Sequence, residues 1–451
     1  MVGPFTKPVQ VNPVITPNPV SRFRSPMNDS VVAWEAYATF NPAAVVKDGK
    51  VFLLYRAEDA SGAQQIGGHT SRLGIAESRD GLHFTRRATP VLYPDTDLQR
   101  QNEWPGGVED PRIVESDDRT YILTYTQWNR DVPRLAVATS RDLITWTKHG
   151  PAFARAAGGK YLRTESKSGA ILSRIDGDRI VATRVNGKYW MYFGVPDLRI
   201  ATSDNLLEWT PLEDSTGQAV KVLSARPSHF DSWLVEAGPP ALRTGRGILV
   251  LYNAGSLPSH TYSAGQALFD ARDPTRLVAR SESAFITPTE SYERTGQYTA
   301  GTTFVEGLVP FRGRWYLYYG TADSRVGVAV WDPQSPADRI VGTWHGESIC
   351  VDKQVDRACK DEEVIYEIDS ATGPRGPLRI SAEQIVHGAR EGMGVFTLSY
   401  DSAADQWFAD LNTRIHARWT FVPHGDSIVG DLSELPVHRL VRRIAVGRVV
   451  Q

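Results

Sequence analysis

The chain is poor in sulfur and has no long apolar run. Of its 451 residues only Cys350 and Cys359 are cysteines, and four are methionines. Two cysteines without neighbouring histidines make a poor zinc site, and no other metal site is expected. Their closeness in CVDKQVDRAC, a loop-rich stretch, points to a disulfide rather than two free thiols. The corresponding expectation is an exported protein, periplasmic or extracellular, whose leader was removed before residue 1. A cytoplasmic chain with reduced thiols is the alternative. No stretch reaches the ~18 apolar residues of a membrane-spanning helix. Neither sign of charge dominates: 50 Lys and Arg stand against 52 Asp and Glu, for a net charge of −2. That balance excludes the basic footprint of a nucleic-acid or anionic-membrane binder. Helical periodicity is nearly missing, as are HExxH, G-x-S-x-G, the P-loop and the dinucleotide fingerprint, so no cofactor is expected. The sequence carries no sign of an oligomeric state.

What is present is a repeat. Aromatic-rich strands read VFLLYRA (51–57), YILTYTQ (121–127), YWMYFG (189–194), ILVLYNA (248–254) and WYLYYG (315–320). Each is followed by a strand holding a small residue, Ala76, Ala138, Ala201, Ala267 and Ala329, at intervals of 62 to 66 residues. Strand pairs at such a period predict an all-β, five-bladed propeller over residues 1–338. The aromatic-rich strands are expected to be its inner strands. KDGK, VNGK and FRGR precede three of them as hairpin turns. Residues 1–35, with Pro4, Pro8, Pro13, Pro17 and Pro19, read as an extended strap rather than a signal peptide. After residue 338 the repeat stops. Residues 339–451 read as a β-rich accessory domain, best as a small barrel, with one helix-like piece over Ser381 to His387. Its GTWHG start is similar to a lipocalin-type barrel opening.

The repeat is broken where carboxylates intrude. EWPGGVEDPRIV sets Glu109 and Asp110 against Arg112 at a loop-to-strand junction. DSWLVEAGPPAL places Glu236 in an apolar run, and GTTFVEGLV does the same with Glu306. A buried carboxylate is costly unless paired or used. The bland alternatives are a structural Asp–Arg pair and glutamates held by backbone. The functional one is a pocket where three blades converge, with one acid for a leaving oxygen and one base for water, as a glycosidase requires. Glu290 is the reserve candidate for the base.

These segments, with FNPAAV, LLYRAED, TSRLGIAES, KSGAI and YYGTADSRVGVA, make residues 20–335 resemble glycoside hydrolase family 130, the mannoside phosphorylases and β-mannosidases. The resemblance implies a five-bladed propeller acting on β-mannoside oligosaccharides. It implies that Asp110 is the general acid, its proton passing through a hydroxyl of the mannose being cleaved. Asn41, Arg56, Arg72 and Asp323 match positions that hold that sugar. Phosphorylases gather cations around a phosphate. Here Phe193 and Gly194 stand where the phosphorylase pattern has His-Arg, Leu234 stands where it has Lys, and Glu236 replaces a Gly. The pattern resembles the hydrolytic, inverting branch that cleaves β-1,2-linked mannosides, with Glu236 and Glu306 activating water. Lys167, Arg163 and Arg184 keep a phosphorylase open as the alternative. A non-catalytic carbohydrate-binding propeller is the alternative of another class.

Overall fold

The computed structural model describes residues 2–449 except 64, 334, 353–358, 371–376, 402–403 and 413–415. It divides into two compact units, Lys7–Val330 and a second made of Val2–Thr6 with Trp331–Gln451.

The first unit is the five-bladed propeller. Blade one runs Ala38–Lys47, Lys50–Glu58, Ser71–Ser78 and Thr85–Arg86, each strand antiparallel to the last. Blade two repeats this from Gly107–Glu115 to Thr147–Pro151. Blade three begins at Ala170–Ile171 and carries an extra hairpin, Ser173–Asp176 with Arg179–Ala182. Blade four is built on Leu234–Ala237, Gly247–Gly255 and Tyr262–Phe269. Blade five is Phe304–Phe311, Arg314–Thr321 and Arg325–Trp331. The strap is more structured than a plain extended segment. Phe23–Arg24 pairs with Val31–Val32, and Ile15 bridges Val326 on blade five.

The ring corrects one expectation. The strands that pack on one another around the axis are Ala38–Lys47, Gly107–Glu115 and Phe304–Phe311. The aromatic-rich strands are therefore second in their blades, and the carboxylate-bearing segments are themselves the innermost strands. The reason for the aromatic repeat lies one strand further out. Tyr55, Tyr252 and Tyr319 each lie across a glycine of the third strand. A Cβ at Gly74, Gly265 or Gly327 would come within 2.5, 2.4 or 2.6 Å of the facing tyrosine ring. Ala76, Ala138, Ala201, Ala267 and Ala329 are buried beside them. The predicted hairpin turns carry left-handed pairs: Asp48–Gly49, Asn186–Gly187 and Arg312–Gly313 all have positive φ, as two-residue turns of right-twisted ribbons demand.

The second unit is a closed barrel of eight strands in sequential order, from Gly342–Cys350 to Arg439–Arg448, whose first and last strands pair. Trp344 of GTWHG is buried in its core with Tyr366, Trp419 and Phe421. The expected helix over Ser381 to His387 is absent: Leu378–Val386 is a strand, and His387 starts the turn. The run ISAEQIV fits either period over so short a window, and barrel pairing decides it. Cys350 and Cys359 are joined as a disulfide, with Cα atoms 5.8 Å apart.

Candidate active site

Each innermost strand brings one polar residue to an equivalent place near its start: Asn41, Asp110, Ser168, Glu236 and Glu306. In blades one, two and five this place is a β-bulge. The register slips between Phe40 and Pro42, between Glu109 and Arg112, and between Val305 and Gly307. A bulge adds one residue to one strand and re-aims its side chain. Asn41, Asp110 and Ser168 have φ of 47°, 48° and 60°, a left-handed backbone that Asn and Asp tolerate better than branched residues. The following Pro42 and Pro111 lack the N–H that a bulge would leave unpaired.

Four of the five side chains are joined in two pairs. Asn41 Nδ2 donates to Asp110 Oδ1 at 2.8 Å, and Arg56 Nη1 donates to the same oxygen at 3.1 Å. Arg56 also reaches Glu58 at 2.6 Å and Glu109 at 2.8 Å, so one buried guanidinium serves three carboxylates. Ser71 Oγ contacts Glu58 and Glu109. Ser168 Oγ donates to Glu236 Oε1. Arg112 does not take the Asp110 carboxylate, contrary to the expected Asp–Arg pair. It donates to the carbonyls of Asp110, Ala237 and Gly238, stitching blade two to blade four. Its Nη2 also lies 3.1 Å from Glu306 Oε1. That N–H is aimed at Ala237, however, and neither Glu306 oxygen accepts a hydrogen bond from the described residues.

These surroundings separate the acids. Burial alone would raise Asp110, but Arg56, Lys167, the Asn41 amide and Arg112 together pull it below its ordinary value. Burial pushes Glu306 well above the usual range; Arg112 counters only in part, and Asp110 and Glu236 add to the rise. Burial also lifts Glu109 and Asp323 to about 7 each, against the opposing pull of Arg56. Lys167 is held more firmly protonated by Glu236, with Asp110 and Glu109 adding to that effect against burial.

Asn41, Arg56, Asp110, Lys167, Glu236, Glu306 and Asp323 thus belong to one electrostatic cluster. Arg72 is engaged differently: it pairs with Asp59 at 2.6 Å and donates to the Thr70 carbonyl. Glu290 caps the short turn Ser291–Glu293. Arg184 is exposed at a hairpin tip, donating to the carbonyls of Gly187 and Asp204. Phe193 packs on Phe153 and Leu234 is buried, both apolar where a phosphate site would need charge. Sequence reasoning missed Glu58, Ser71, Ser168 and Gln297, whose amide bridges Glu58 and the Asp323 carbonyl at 2.8 and 2.9 Å. Glu58 was within reach, since it lies two residues beyond Arg56 on the same strand face.

Residues 7–336 match the family described as beta-1,4-mannooligosaccharide phosphorylase. The chain belongs to glycoside hydrolase family 130. Family 130 relatives include a 1,2-beta-oligomannan phosphorylase of Thermoanaerobacter sp. strain X514, 32% identical over 301 residues, which covers 66% of this chain and 90% of the relative. A solved glycosyl hydrolase from Bacteroides ovatus is 52% identical with a TM-score of 0.72, covering 74% of this chain and 95% of its own. Another solved chain, 51% identical with a TM-score of 0.72 and the same coverage, comes from work reporting that this family of mannoside phosphorylases contains glycoside hydrolases that target beta-1,2 mannosidic linkages in Candida mannan. The family 130 match ends at residue 336 and leaves the barrel outside it.

Proposed function

We propose that this family 130 chain hydrolyses β-mannosides, most simply β-1,2-linked ones, releasing mannose with inversion. The observation that carries the reading is the charge inventory. Glu58, Glu109, Asp110, Glu236, Glu306 and Asp323 outnumber Arg56, Arg112 and Lys167, and both guanidiniums are already engaged by carboxylates and carbonyls. Burial raises Glu109, Glu306 and Asp323 toward their neutral forms, so what disfavours a phosphate dianion is the commitment of both guanidiniums and the hold of Glu236 on Lys167, whereas a neutral water meets acceptors.

Glu236 is the better base of the two glutamates. It keeps 4% of its surface exposed and accepts from Ser168, whereas Glu306 is 0% exposed and burial pushes it well above the usual carboxylate range, toward the protonated form. Glu236 takes a proton from water as the water oxygen bonds to the anomeric carbon and the glycosidic bond breaks. The leaving oxygen takes its proton from a mannose hydroxyl, which Asp110 replenishes. Seating a sugar over Asp110 strips its last water. Burial is the largest influence on that carboxyl and acts upward, so binding moves it toward the protonated form an acid needs. Glu109, lifted to about 7 with Asp110 adding to the rise, is then the neighbouring proton holder.

Phosphorolysis is the second reading, favoured by the names of the curated relatives and by Lys167 beside the acids. Incubation with β-1,2-mannobiose, with and without phosphate, separates the two. Free mannose in both conditions is expected; mannose 1-phosphate as the main product overturns hydrolysis. For localisation, the Cys350–Cys359 bond supports residence in an oxidising compartment. Fractionation of the source cells checks it, and recovery in the cytoplasm with free thiols overturns it.

A further inference from the structure

The pocket is asymmetric. On the blade-one side its wall is ionic, built from Arg56, Glu58, Glu109 and Ser71. On the blade-four side the wall is aromatic. Trp233 directly precedes the strand bearing Glu236 and is 37% exposed. Its ring lies over Gly255, where an added Cβ would come within 2.6 Å of it, so the glycine is what lets the indole lie flat across the strand. Tyr262 stands 5.7 Å from Trp233 and 5.4 Å from Tyr298, centroid to centroid, and His260 lies edge-on to Trp233 at 4.8 Å. Tyr298 Oη donates to the His260 carbonyl at 2.6 Å, fixing the loop that ends the strip. The strip is continuous with the acid-bearing strand: Tyr262 pairs with Gly255, which pairs with Leu234, two residues before Glu236.

We propose that Trp233, Tyr262 and Tyr298 form a stacking shelf for the leaving part of the glycan, the second and third sugars of a β-mannoside chain, and so set a preference for chains longer than a disaccharide. A pyranose offers one face of C–H groups and a rim of hydroxyls, which suits aromatic rings with polar tips beside carboxylate acceptors. An ionic wall suits the sugar being cleaved, whose hydroxyls need fixed partners. The Trp233 ring packs one face on the blade and keeps 37% of its surface exposed, which leaves area free for a sugar.

This proposal rests on the mannoside reading above, and the test separates the two. Kinetics on β-1,2-mannobiose and β-1,2-mannotetraose are compared for the unsubstituted protein, Trp233→Ala, Trp233→Phe and Tyr298→Ala. For Trp233→Ala, KM for the tetraose is expected to rise about 10-fold with a much smaller effect on kcat, the size of one lost aromatic contact. The loss on the disaccharide is smaller, and Trp233→Phe recovers most of it. Tyr298→Ala gives the same split should Trp233→Ala fail to fold. Equal loss on both substrates, or none on either, overturns the shelf. Failure of the unsubstituted protein to cleave any β-mannoside overturns the mannosidase reading, and fluorescence then still tests the shelf. A blue shift on adding mannotetraose that is missing in Trp233→Phe supports it, and no shift overturns it.

Discussion

Blade three differs from the other four in how its second-strand tyrosine is anchored. In blade one Tyr55 donates to Glu35, which Arg86 also approaches. In blade two Tyr125 donates to Glu103, paired with Lys148 at 2.5 Å. In blade four Tyr252 donates to Asp231, paired with Arg280 at 2.6 Å. In blade five Tyr319 donates to Glu293, paired with Lys7 at 2.7 Å. Each carboxylate comes from the chain just ahead of the innermost strand, so each latch fixes the entry of that strand and hence the polar residue it presents. In blade three Tyr192 donates to the carbonyl of Pro274, and no acid takes part. That same blade supplies the pocket's lysine and serine rather than an acid. The charged latch is thus a device of the acid- and amide-bearing blades, and the blade with the cationic side chain is anchored by a neutral bond.

The comparison can be broken most forcefully at Glu103. Glu103→Gln leaves the buried Lys148 with only the part-exposed Asp97 carboxylate, 3.0 Å away, as counter-charge, and the loss of its buried partner is expected to cost about 3 kcal/mol. A chemical denaturation midpoint that stays put would remove the latch from the account. Asp110→Asn, in the same blade but at the pocket, separates stability from chemistry: kcat on β-1,2-mannobiose is expected to fall at least about 100-fold, the usual loss for a general acid. Near-normal turnover would return Asp110 to a purely structural role. A smaller effect follows from pH. Glu109 and Asp323 hold protons up to about 7, while an unfolded chain releases them near the ordinary carboxylate values. The folded state therefore binds more protons in between, and stability falls as pH rises from about 4.5 through about 7. Asp323→Asn should flatten that slope; an unchanged profile would show that other groups set it. Least of all, Tyr192→Phe removes one neutral hydrogen bond and should cost about 1 kcal/mol, below the loss from Tyr55→Phe, which strips a donor from a buried acid. Equal losses would erase the distinction between blades.

How much of this was legible beforehand depended on whether the signal was local. The repeat is local in origin: Ala76, Ala138, Ala201 and Ala267 face Leu53, Leu123, Met191 and Val250 across the second and third strands, while the tyrosines of blades one, two and four face Gly74, Ala136 and Gly265, so the pattern recurs at a fixed spacing. Asp110, Glu236 and Glu306 stood out because acids interrupt apolar strands. Which strand was innermost was not legible, since the aromatic strand and its predecessor are both buried. The latches also escaped notice: Glu35, Glu103, Asp231 and Glu293 sit in irregular segments, and their cations come from elements up to 286 residues away. Arg112 was matched to the wrong acid because a bulge turns its neighbour's side chain aside. The barrel strand at Leu378–Val386 read as helix because nothing local separates the two periods there.

The latch of blade five has a consequence for the order of events during synthesis. Lys7 precedes every blade in the chain, and Glu293 leads into the fifth. Blades one to four can assemble as they emerge, but Lys7 waits for an acid made 286 residues later. Until then the strap has neither its acid nor its edge at Val326. Contacts so distant along the chain form late and slowly. Ring closure is therefore the final step in building the propeller. It also completes the pocket: Glu306 belongs to the blade that arrives last, so the acid pair first exists when the circle is shut.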